Sequence, residues 1–496
     1  MKKVLIPKKK VLIPKQPINN GLIDFDQVQL DREGLELRPY QVEHLGFFLN
    51  EKRAIDRSEA GTGKTPKMCL WLYTLTKSGD KTIWAMPKSL LAKNYEELLL
   101  WSNLTPEQIT LVDGTPEQRK KQIERRSTKV FIMGFDAFAN SWSAMRQVHP
   151  TLVHLCVDEL HKGFSTHGER NWKDPNKFFG PKRTALMYEF LKKGGGFFPN
   201  TGTILNGRLN SAYPAITMIE PRYYGSHNAF LDWHSIRDDW GNPVMWKNHD
   251  RLKEILDRHG RRITFEDAYG EENKQIITIP CVLSASQRKP YKELEKRAIT
   301  ELENGDMLEA ANEAGVLRRC LEIMQVPEKY GFKEGSEGKL AQLVNMLEDA
   351  RDEKQPLLIF ETVKAAQYKW RDAARELGLV VEVMNGDVSG EPRMWLDKNF
   401  RDGKIDVLIC SPDVAGVGFN WGHVNKMIFM SLDWQDTTFI QNYRRAIRGK
   451  RELCLLIYVF MYRSSIDGRI AGKVNAKSID RLKVEEGVSV QIKITN

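Results

Sequence analysis

Short runs of apolar and β-branched residues recur along this chain, and longer stretches with helical spacing of their apolar residues separate them. The runs cover residues 82–86, 130–133 and 152–157 in the first half, and 357–360, 380–384, 406–410, 426–430 and 455–460 in the second. Strands of a parallel sheet are covered by helices on both faces and are therefore apolar almost throughout. The pattern predicts an α/β fold with two lobes, each a mostly parallel sheet wrapped by helices.

The domain organisation follows from where these runs stop. Residues 284–325 are rich in Glu, Lys, Leu, Arg and Ala and have helical spacing, so they predict a small helical insertion between the lobes. The heptapeptide KKVLIPK occupies residues 2–8 and again 9–15, which indicates a basic, mostly unstructured arm. We expect an arm over 1–30, a first lobe over 31–225, a helical connecting region over 226–335, a second lobe over 336–475 and a C-terminal extension over 476–496.

Composition excludes some classes of protein. No apolar run approaches the roughly 20 residues that a membrane-spanning helix needs, so we expect no membrane partner. Six cysteines are scattered without a Cys-x-x-Cys pair, which fits a reducing cytosol and predicts a cytoplasmic protein, or a nuclear one in a eukaryotic host. The formal net charge of +10 favours a polyanionic partner without identifying it.

Residues 58–65 read SEAGTGKT, follow a potential strand at 53–57 and open a helical stretch. In such a loop the glycines let backbone N–H groups approach phosphates, a lysine neutralises the β and γ charges, and a following hydroxyl binds Mg²⁺. The predicted nucleotide-binding residues are therefore Gly61, Thr62, Gly63, Lys64 and Thr65. A serine stands at the first glycine of the usual pattern, and a flexible loop before a helix is the alternative.

Two adjacent carboxylates, Asp158 and Glu159, follow the apolar run at 152–157 directly. They are expected at the carboxyl end of a strand, where open α/β sheets bind their ligands. Asp158 would hold Mg²⁺ through water, with Thr65 as the other metal-binding residue, and Glu159 would orient or deprotonate the attacking water. A solvated loop is the usual setting of an isolated Asp-Glu pair, but the order and distance after Lys64 favour the catalytic interpretation.

With these two sites in order, further segments resemble the superfamily-two helicase-like ATPases, and specifically their Swi/Snf branch, from about residue 37 to about residue 462. The segments are LRPYQ at 37–41, MPKSLL at 86–91 with Asn94 and Tyr95, TGTILNG at 201–207, LSASQRKPYKEL at 283–294, LRR at 317–319, SEGKL at 336–340, DVLICSPDVAGVGFNW at 406–421 and QNYRRAIR at 441–448.

The resemblance implies two RecA-like lobes and assigns roles to particular residues. Gln41 would read the adenine edge, and residues 86–91 with Asn94 and Tyr95 would touch the nucleic-acid backbone. Arg445 and Arg448 would reach across the cleft as arginine fingers. They are three residues apart, so on a helix they share a face, and each guanidinium can bind developing charge on the γ-phosphate.

Four positions depart from the pattern of the branch, and each of two tryptophans allows two interpretations. Tyr95 replaces a tryptophan, Ile204 a proline, Asp413 a residue that is often basic and Arg444 one that is usually acidic. Trp421 and Trp434 are as compatible with core packing as with base stacking, since aromatic residues dominate protein cores.

The function that the resemblance implies is an ATP-dependent nucleic-acid motor that uses ATP and Mg²⁺, acts as a monomer and moves along double-stranded DNA. Residues 283–294, 317–319 and 336–340 favour the Swi/Snf branch over RNA helicases of the DEAD-box type. A strand-separating DNA or RNA helicase and a non-catalytic nucleic-acid-binding module are the alternatives. A strand-displacement assay distinguishes the first of these, and the absence of ATP hydrolysis the second.

Overall fold

The computed structural model describes residues 35–202, 204–205, 209–297, 299–301, 307–309, 313–388, 390–415, 418–433, 436–447 and 451–472. The predicted N-terminal arm and C-terminal extension lie outside these residues, as do Arg448 and Trp434.

The elements up to residue 269 alternate helices with short strands. They are α1 (Pro39–Asn50), β1 (Ile55–Asp56), α2 (Lys64–Thr76), β2 (Lys81–Met86), α3 (Leu91–Leu100), β3 (Ile109–Val112), α4 (Pro116–Ile123), β4 (Val130–Gly134), α5 (Phe135–Val148), β5 (Leu152–Val157), α6 (Leu160–Phe164), β6 (Glu169–Arg170), β7 (Phe178–Phe179), α7 (Lys182–Lys192), β8 (Phe197–Pro199), α8 (Tyr213–Ile219), α9 (His227–His234), β9 (Ser235–Arg237), β10 (Pro243–Trp246), α10 (His249–Arg258), β11 (Gly260–Arg261) and α11 (Phe265–Tyr269).

The first sheet is parallel, with the strand order β3-β4-β2-β5-β8. Its central strand β2 is buried over five of six residues, since α helices cover both faces and no side chain of Thr82 to Met86 reaches water. Single parallel bridges join Arg53 to Phe197 and Asp56 to Asn200, so β1 runs beside β8. The loop after β1 and the carboxyl end of β5 therefore open at the same edge of this sheet.

The elements from residue 274 onward build the second lobe. They are β12 (Lys274–Cys281), α12 (Ala285–Arg297), β13 (Ile299–Glu301), β14 (Met307–Glu309), α13 (Glu313–Gln325), α14 (Lys339–Glu353), β15 (Leu357–Phe360), α15 (Lys364–Glu376), β16 (Val381–Met384), α16 (Glu391–Arg401), β17 (Val407–Cys410), α17 (Pro412–Ala415), β18 (Lys426–Phe429), α18 (Asp436–Tyr443) and β19 (Leu455–Tyr462).

The second sheet has six parallel strands in the order β12-β19-β18-β15-β17-β16. Strands β15 and β17 are buried at every residue, as expected for central strands of a sheet that helices cover on both faces. The prediction of an α/β fold with two mostly parallel sheets is confirmed.

The segment predicted as a helical connecting region, 226–335, divides between the two lobes. Phe230, Leu252 and Leu256 pack into the core of the first lobe, and β11 pairs with β1. From Phe265 onward the buried residues belong to the core of the second lobe, and β12 forms an edge of its sheet. The segment is therefore not an independent helical body, and the domain limits given above stay a prediction.

Two further features of the described residues bear on the class of protein. Among them, no helix combines the length and the apolar character that crossing a membrane requires. The six cysteines are free thiols, and five of them are buried.

Candidate active site

The loop between β1 and α2 carries the predicted phosphate-binding residues, and its backbone needs glycine at two positions. Gly61 has a φ of +87° and Gly63 a φ of +74°, both in the left-handed region that side chains disfavour. A Cβ at Gly63 would also lie 2.5 Å from Gln41 Nε2. A larger residue at 63 would therefore strain the backbone and displace Gln41.

Three side chains from outside the loop hold its carbonyl groups. Tyr40 Oη donates to Thr62 O at 2.6 Å, Gln41 Nε2 to Gly63 O at 2.8 Å and Tyr269 Oη to Gly61 O at 3.1 Å. Gln41 also accepts a hydrogen bond from the Arg38 N–H at 2.8 Å, and only 5% of its surface is exposed. In this conformation Gln41 positions the loop, and its adenine-reading role stays a prediction.

Lys64 is the first residue of α2, and its amine lies inside the loop. Nζ donates to the carbonyl oxygens of Ser58 at 2.8 Å and Glu59 at 3.0 Å. Burial lowers the pKa of Lys64, although the charges of Glu159 and other nearby carboxylates oppose that shift. The amine therefore lies within reach of the charge of the residue predicted as the catalytic base. Thr65 follows it in the first turn of α2 and is half-buried.

A buried ion pair stabilises the loop. Lys67 Nζ lies 2.6 Å from Asp56 Oδ2, and neither side chain is exposed. The other oxygen of Asp56 accepts from the Ser58 N–H at 2.9 Å, which fixes the backbone where the usual pattern has a glycine. This pair was not predictable from sequence, because Asp56 and Lys67 lie on opposite sides of the loop and neither belongs to its pattern.

Asp158 follows β5 and is held by amide donors from two other segments. Asn94 Nδ2 donates to Oδ2 at 3.0 Å and Asn200 Nδ2 to Oδ1 at 3.2 Å. Burial, together with the negative charge of Glu159, raises the pKa of Asp158 to about 6. Asn94 is 1% exposed, so the structure places it under the carboxylate and not on a surface that nucleic acid could touch. The expected contact of Asn94 with nucleic acid is therefore wrong. Its amide instead donates a hydrogen bond that the buried carboxylate of Asp158 needs.

Glu159 adopts a φ of +50°, so its backbone is left-handed where β5 turns into α6. Burial alone would raise the pKa of Glu159, but the nearby His161, Lys64, Lys162 and Arg445 lower it overall. His161 Nδ1 lies 2.8 Å from Thr201 Oγ1, which connects this turn to the segment after β8. A carboxylate that stays ionised at neutral pH can accept a proton or a hydrogen bond from water.

The residues predicted to hold Mg²⁺ suit that ion in their donor chemistry. Asp158 offers a carboxylate whose pKa is raised, and a bound cation would favour its ionised form. Thr65 offers a hydroxyl. Magnesium takes oxygen ligands and usually keeps few protein ligands beside water and phosphate. Within the described part of the chain, no cluster of three or more His, Cys, Asp or Glu side chains forms a complete metal site.

Arg445 comes from the second lobe, and its charge acts on the carboxylate of the first. The residue is 6% exposed, and its positive charge contributes to lowering the pKa of both Glu159 and Lys162. Its carbonyl accepts from the Trp421 N–H at 2.8 Å, which ties it to the segment after β17. The charge of one predicted arginine finger thus acts on the predicted catalytic base, and Arg448 stays a prediction from sequence.

A second contact joins the lobes beside this site. Lys93 Nζ donates to the carbonyl of Gly418 at 3.0 Å. Gly418 has a φ of +90°, and a Cβ there would lie 3.0 Å from Cδ2 of Leu90. The segment at 86–91 therefore packs against the Gly-x-Asn turn of the second lobe, which only glycine at 418 permits.

Trp421 is a core residue. None of its surface is exposed, its indole Nε1 donates to Asp397 Oδ1 at 2.9 Å, and its ring stacks on Phe419 with centroids 5.0 Å apart. Of the two interpretations of Trp421, core packing is correct.

Comparisons with known proteins identify the following similarities. The family described as helicase conserved C-terminal domain matches residues 338–450. A chromodomain-helicase-DNA-binding protein 3 homolog of Caenorhabditis elegans is 24% identical over 91% of this chain and 27% of its own length. An uncharacterized ATP-dependent helicase of Mycoplasma genitalium is 21% identical over 89% of this chain and 41% of its own. A chromodomain-helicase-DNA-binding protein 1-like of Mus musculus is 21% identical over 95% and 53%.

The chain thus spans between 27% and 53% of the length of these curated relatives. Among solved structures, the Sulfolobus solfataricus SWI2/SNF2 ATPase core in complex with dsDNA is 17% identical and covers 91% of this chain and 95% of that one. Its TM-score of 0.39 is too low to bear on how the two lobes are arranged.

Proposed function

We propose that the chain belongs to the Swi/Snf-type branch of the superfamily-two helicase-like ATPases, and that it hydrolyses ATP to translocate along double-stranded DNA and to remodel DNA or protein–DNA complexes. The observation that carries the proposal is that charged residues of both lobes act on the proposed catalytic base. Lys64 and Glu159 lie in the first lobe, and the charge of Arg445 from the second lobe acts on Glu159.

Each proposed residue has one task in hydrolysis. Lys64 neutralises charge on the β and γ phosphates, which requires it to exchange the carbonyls of Ser58 and Glu59 for phosphate oxygens. Glu159, ionised at neutral pH, orients the attacking water and accepts its proton. Thr65 and Asp158 would hold Mg²⁺, which neutralises phosphate charge when bound. Gly61, Thr62 and Gly63 supply the backbone of the phosphate cradle.

Arg445 couples hydrolysis to the closure of the cleft. Its guanidinium stabilises charge that develops on the γ-phosphate, and Arg448 is proposed to act with it. Since the arginines and the phosphate loop belong to different lobes, turnover depends on how the lobes meet. A nucleic acid that binds both lobes in the closed arrangement favours that arrangement, and so accelerates hydrolysis.

The nucleic acid is proposed to be held mainly by its phosphates. The formal net charge of +10 supports a polyanionic partner. Phosphate contacts carry little sequence information and release counterions, so binding should be weakly sequence-dependent and should weaken steeply as salt increases. The names of two relatives include DNA binding, which supports DNA as the partner.

A comparison of polynucleotides tests the proposal. We expect double-stranded DNA to stimulate ATP hydrolysis more than single-stranded DNA, forked DNA or RNA at each of two salt concentrations. The protein should also displace a third strand from a triplex without separating the duplex. Separation of a tailed duplex would support a strand-separating helicase instead. An absence of ATP hydrolysis with every polynucleotide would support a non-catalytic nucleic-acid-binding module.

A further inference from the structure

Arg444 lies directly before the proposed arginine finger and bridges two carboxylates from different parts of the chain. Its Nη2 lies 2.7 Å from Glu59 Oε2, and its Nε lies 2.6 Å from Glu272 Oε1. The side chains of Arg444 and Glu59 are each 12% exposed, and that of Glu272 is 8% exposed. This position is usually acidic in the branch that the chain resembles, so the bridge is a feature of this sequence.

Glu59 belongs to the phosphate loop, and its other contacts fix it there. Its backbone carbonyl accepts from Lys64 Nζ at 3.0 Å, and its backbone N–H donates to Ile263 O at 3.0 Å. Its carboxylate also accepts from Arg262 Nη2 at 3.1 Å and from the Phe265 N–H at 2.9 Å. The carboxylate that binds Arg444 is thus attached to the same residue that holds the amine of Lys64.

Glu272 lies just before β12, at the point where the chain enters the second sheet. It accepts from Tyr443 Oη at 3.1 Å and forms an ion pair with Lys274. Burial would lower the pKa of Arg444, but the charges of Glu59 and Glu272 raise it overall. The guanidinium is therefore charged and neutralised on both sides, as a buried arginine requires.

We propose that Arg444 is a positioning residue that clasps the phosphate loop to the second lobe through Glu59. The clasp consists of Arg444, Glu59 and Glu272, and it holds the two lobes together before any nucleic acid binds. It rests on the proposed function in one respect, since it explains how the loop and Arg445 are brought together in an ATPase. The clasp therefore holds the lobes partly closed in the absence of nucleic acid, which would otherwise have to bring them together.

The first test measures closure without catalysis. Small-angle X-ray scattering of the nucleotide-free protein should give a larger radius of gyration for Arg444→Gln than for the wild type. Glu59→Gln removes the charge on the other side of the same contact and should give the same expansion. The control is Arg258→Gln, which removes an exposed pair with Glu254 at 3.0 Å and should leave the radius unchanged. Thermal unfolding of each variant establishes that it is folded.

The second test separates the clasp from general damage. Without DNA, Arg444→Gln should lower kcat by about tenfold or more, because the lobes are no longer held closed around the ATP site. It should also raise KM for ATP, since the second lobe no longer contacts the loop through Glu59. Duplex DNA should restore most of kcat, because it supplies closure by another route. The double variant Glu59→Gln with Arg444→Gln should have a kcat no lower than that of either single variant, since both substitutions break the same contact.

The outcomes distinguish this inference from the proposed function. Folded Arg444→Gln and Glu59→Gln proteins with the wild-type radius of gyration would overturn the clasp, even if the wild type is a DNA-stimulated ATPase. A wild type that hydrolyses no ATP would overturn the proposed function, while the scattering comparison would still decide whether the clasp holds the lobes together.

Discussion

Lys64 and Glu159 divide the chemistry of the proposed site between an amine and a carboxylate. The amine is held by two carbonyl oxygens of its own loop, and the carboxylate stays ionised because positive side chains surround it. Both were predictable from sequence because each belongs to a short local pattern after an apolar run. The buried partner of the neighbouring Asp158 was not, since Asn94 lies 64 residues from it in the chain and only the fold brings the two together.

Substitution of the two residues should have different effects. Lys64→Ala should abolish ATP hydrolysis and weaken nucleotide binding, because phosphate charge loses its neutralising partner. Glu159→Gln should lower kcat by at least about a hundredfold and leave nucleotide binding intact, because only proton acceptance is lost. Steady-state hydrolysis and titration with a fluorescent ATP analogue measure these effects. Lys77→Ala, at the exposed residue that follows the same helix, is the control; an equal loss in that variant would refute the assignment of Lys64.

Buried histidines predict how stability depends on pH. Burial lowers the pKa of His234 to about 4, and Tyr224 Oη lies 2.7 Å from its Nε2. In the unfolded chain its pKa is about 6.5, so between these values the unfolded state binds the extra proton. The free energy of unfolding should therefore fall as pH decreases from about 6.5 towards 4.

Replacing His234 tests this dependence. His234→Gln removes one of the groups involved, so the loss of stability between pH 7.5 and pH 5 should be smaller in the variant than in the wild type. His44, His161 and His227, whose pKa values burial also lowers to about 4, contribute to the remaining dependence. Urea unfolding at the two pH values measures the difference. An unchanged pH dependence in the folded variant would show that His234 is not buried in its neutral form.

At the scale of elements, the central strands were the most predictable part of the fold. The runs at 152–157 and 357–360 coincide with β5 and β15, because a strand buried on both faces has a continuous apolar sequence. Strands β3, β8 and β12 were missed for a different reason. They are short or lie at a sheet edge, and β12 is buried only at Cys281, so their sequences lack a continuous apolar run.

The contact between Gly418 and Leu90, the residue before α3, also depends on tertiary structure. Gly418→Ala should cost about 1 to 2 kcal/mol in backbone strain and should press a methyl group against Leu90 of the other lobe. We expect a several-fold loss of DNA-stimulated ATPase activity. Gly403→Ala is matched to it, because Gly403 has a φ of +71° and nothing within 4 Å of the added Cβ. It should lose stability and keep activity, and equal activity losses in both variants would argue against a functional contact.

At the scale of the whole molecule, sequence predicted two lobes but not how the chain divides between them. Residues 226–335 were expected to form a helical connector, because residues 284–325 within them have strongly helical composition. The structure instead gives Phe230 and Leu252 to the first core and β12 to the second sheet. A single sequence lacks this information, since which core a helix joins depends on surfaces that are distant in the chain.

The central claim is that one catalytic pocket is completed by two lobes, and Arg445→Ala tests it most directly. Arg445 belongs to the second lobe and its charge acts on Glu159 of the first, and Arg463→Ala, at an exposed arginine of the second lobe, is the control. We predict that Arg445→Ala lowers DNA-stimulated kcat by about a thousandfold or more, while its affinity for a non-hydrolysable ATP analogue stays within about twofold of the wild type. Arg448→Ala should behave in the same way. ATP hydrolysis at the wild-type rate in a folded Arg445→Ala protein would contradict the two-lobe site.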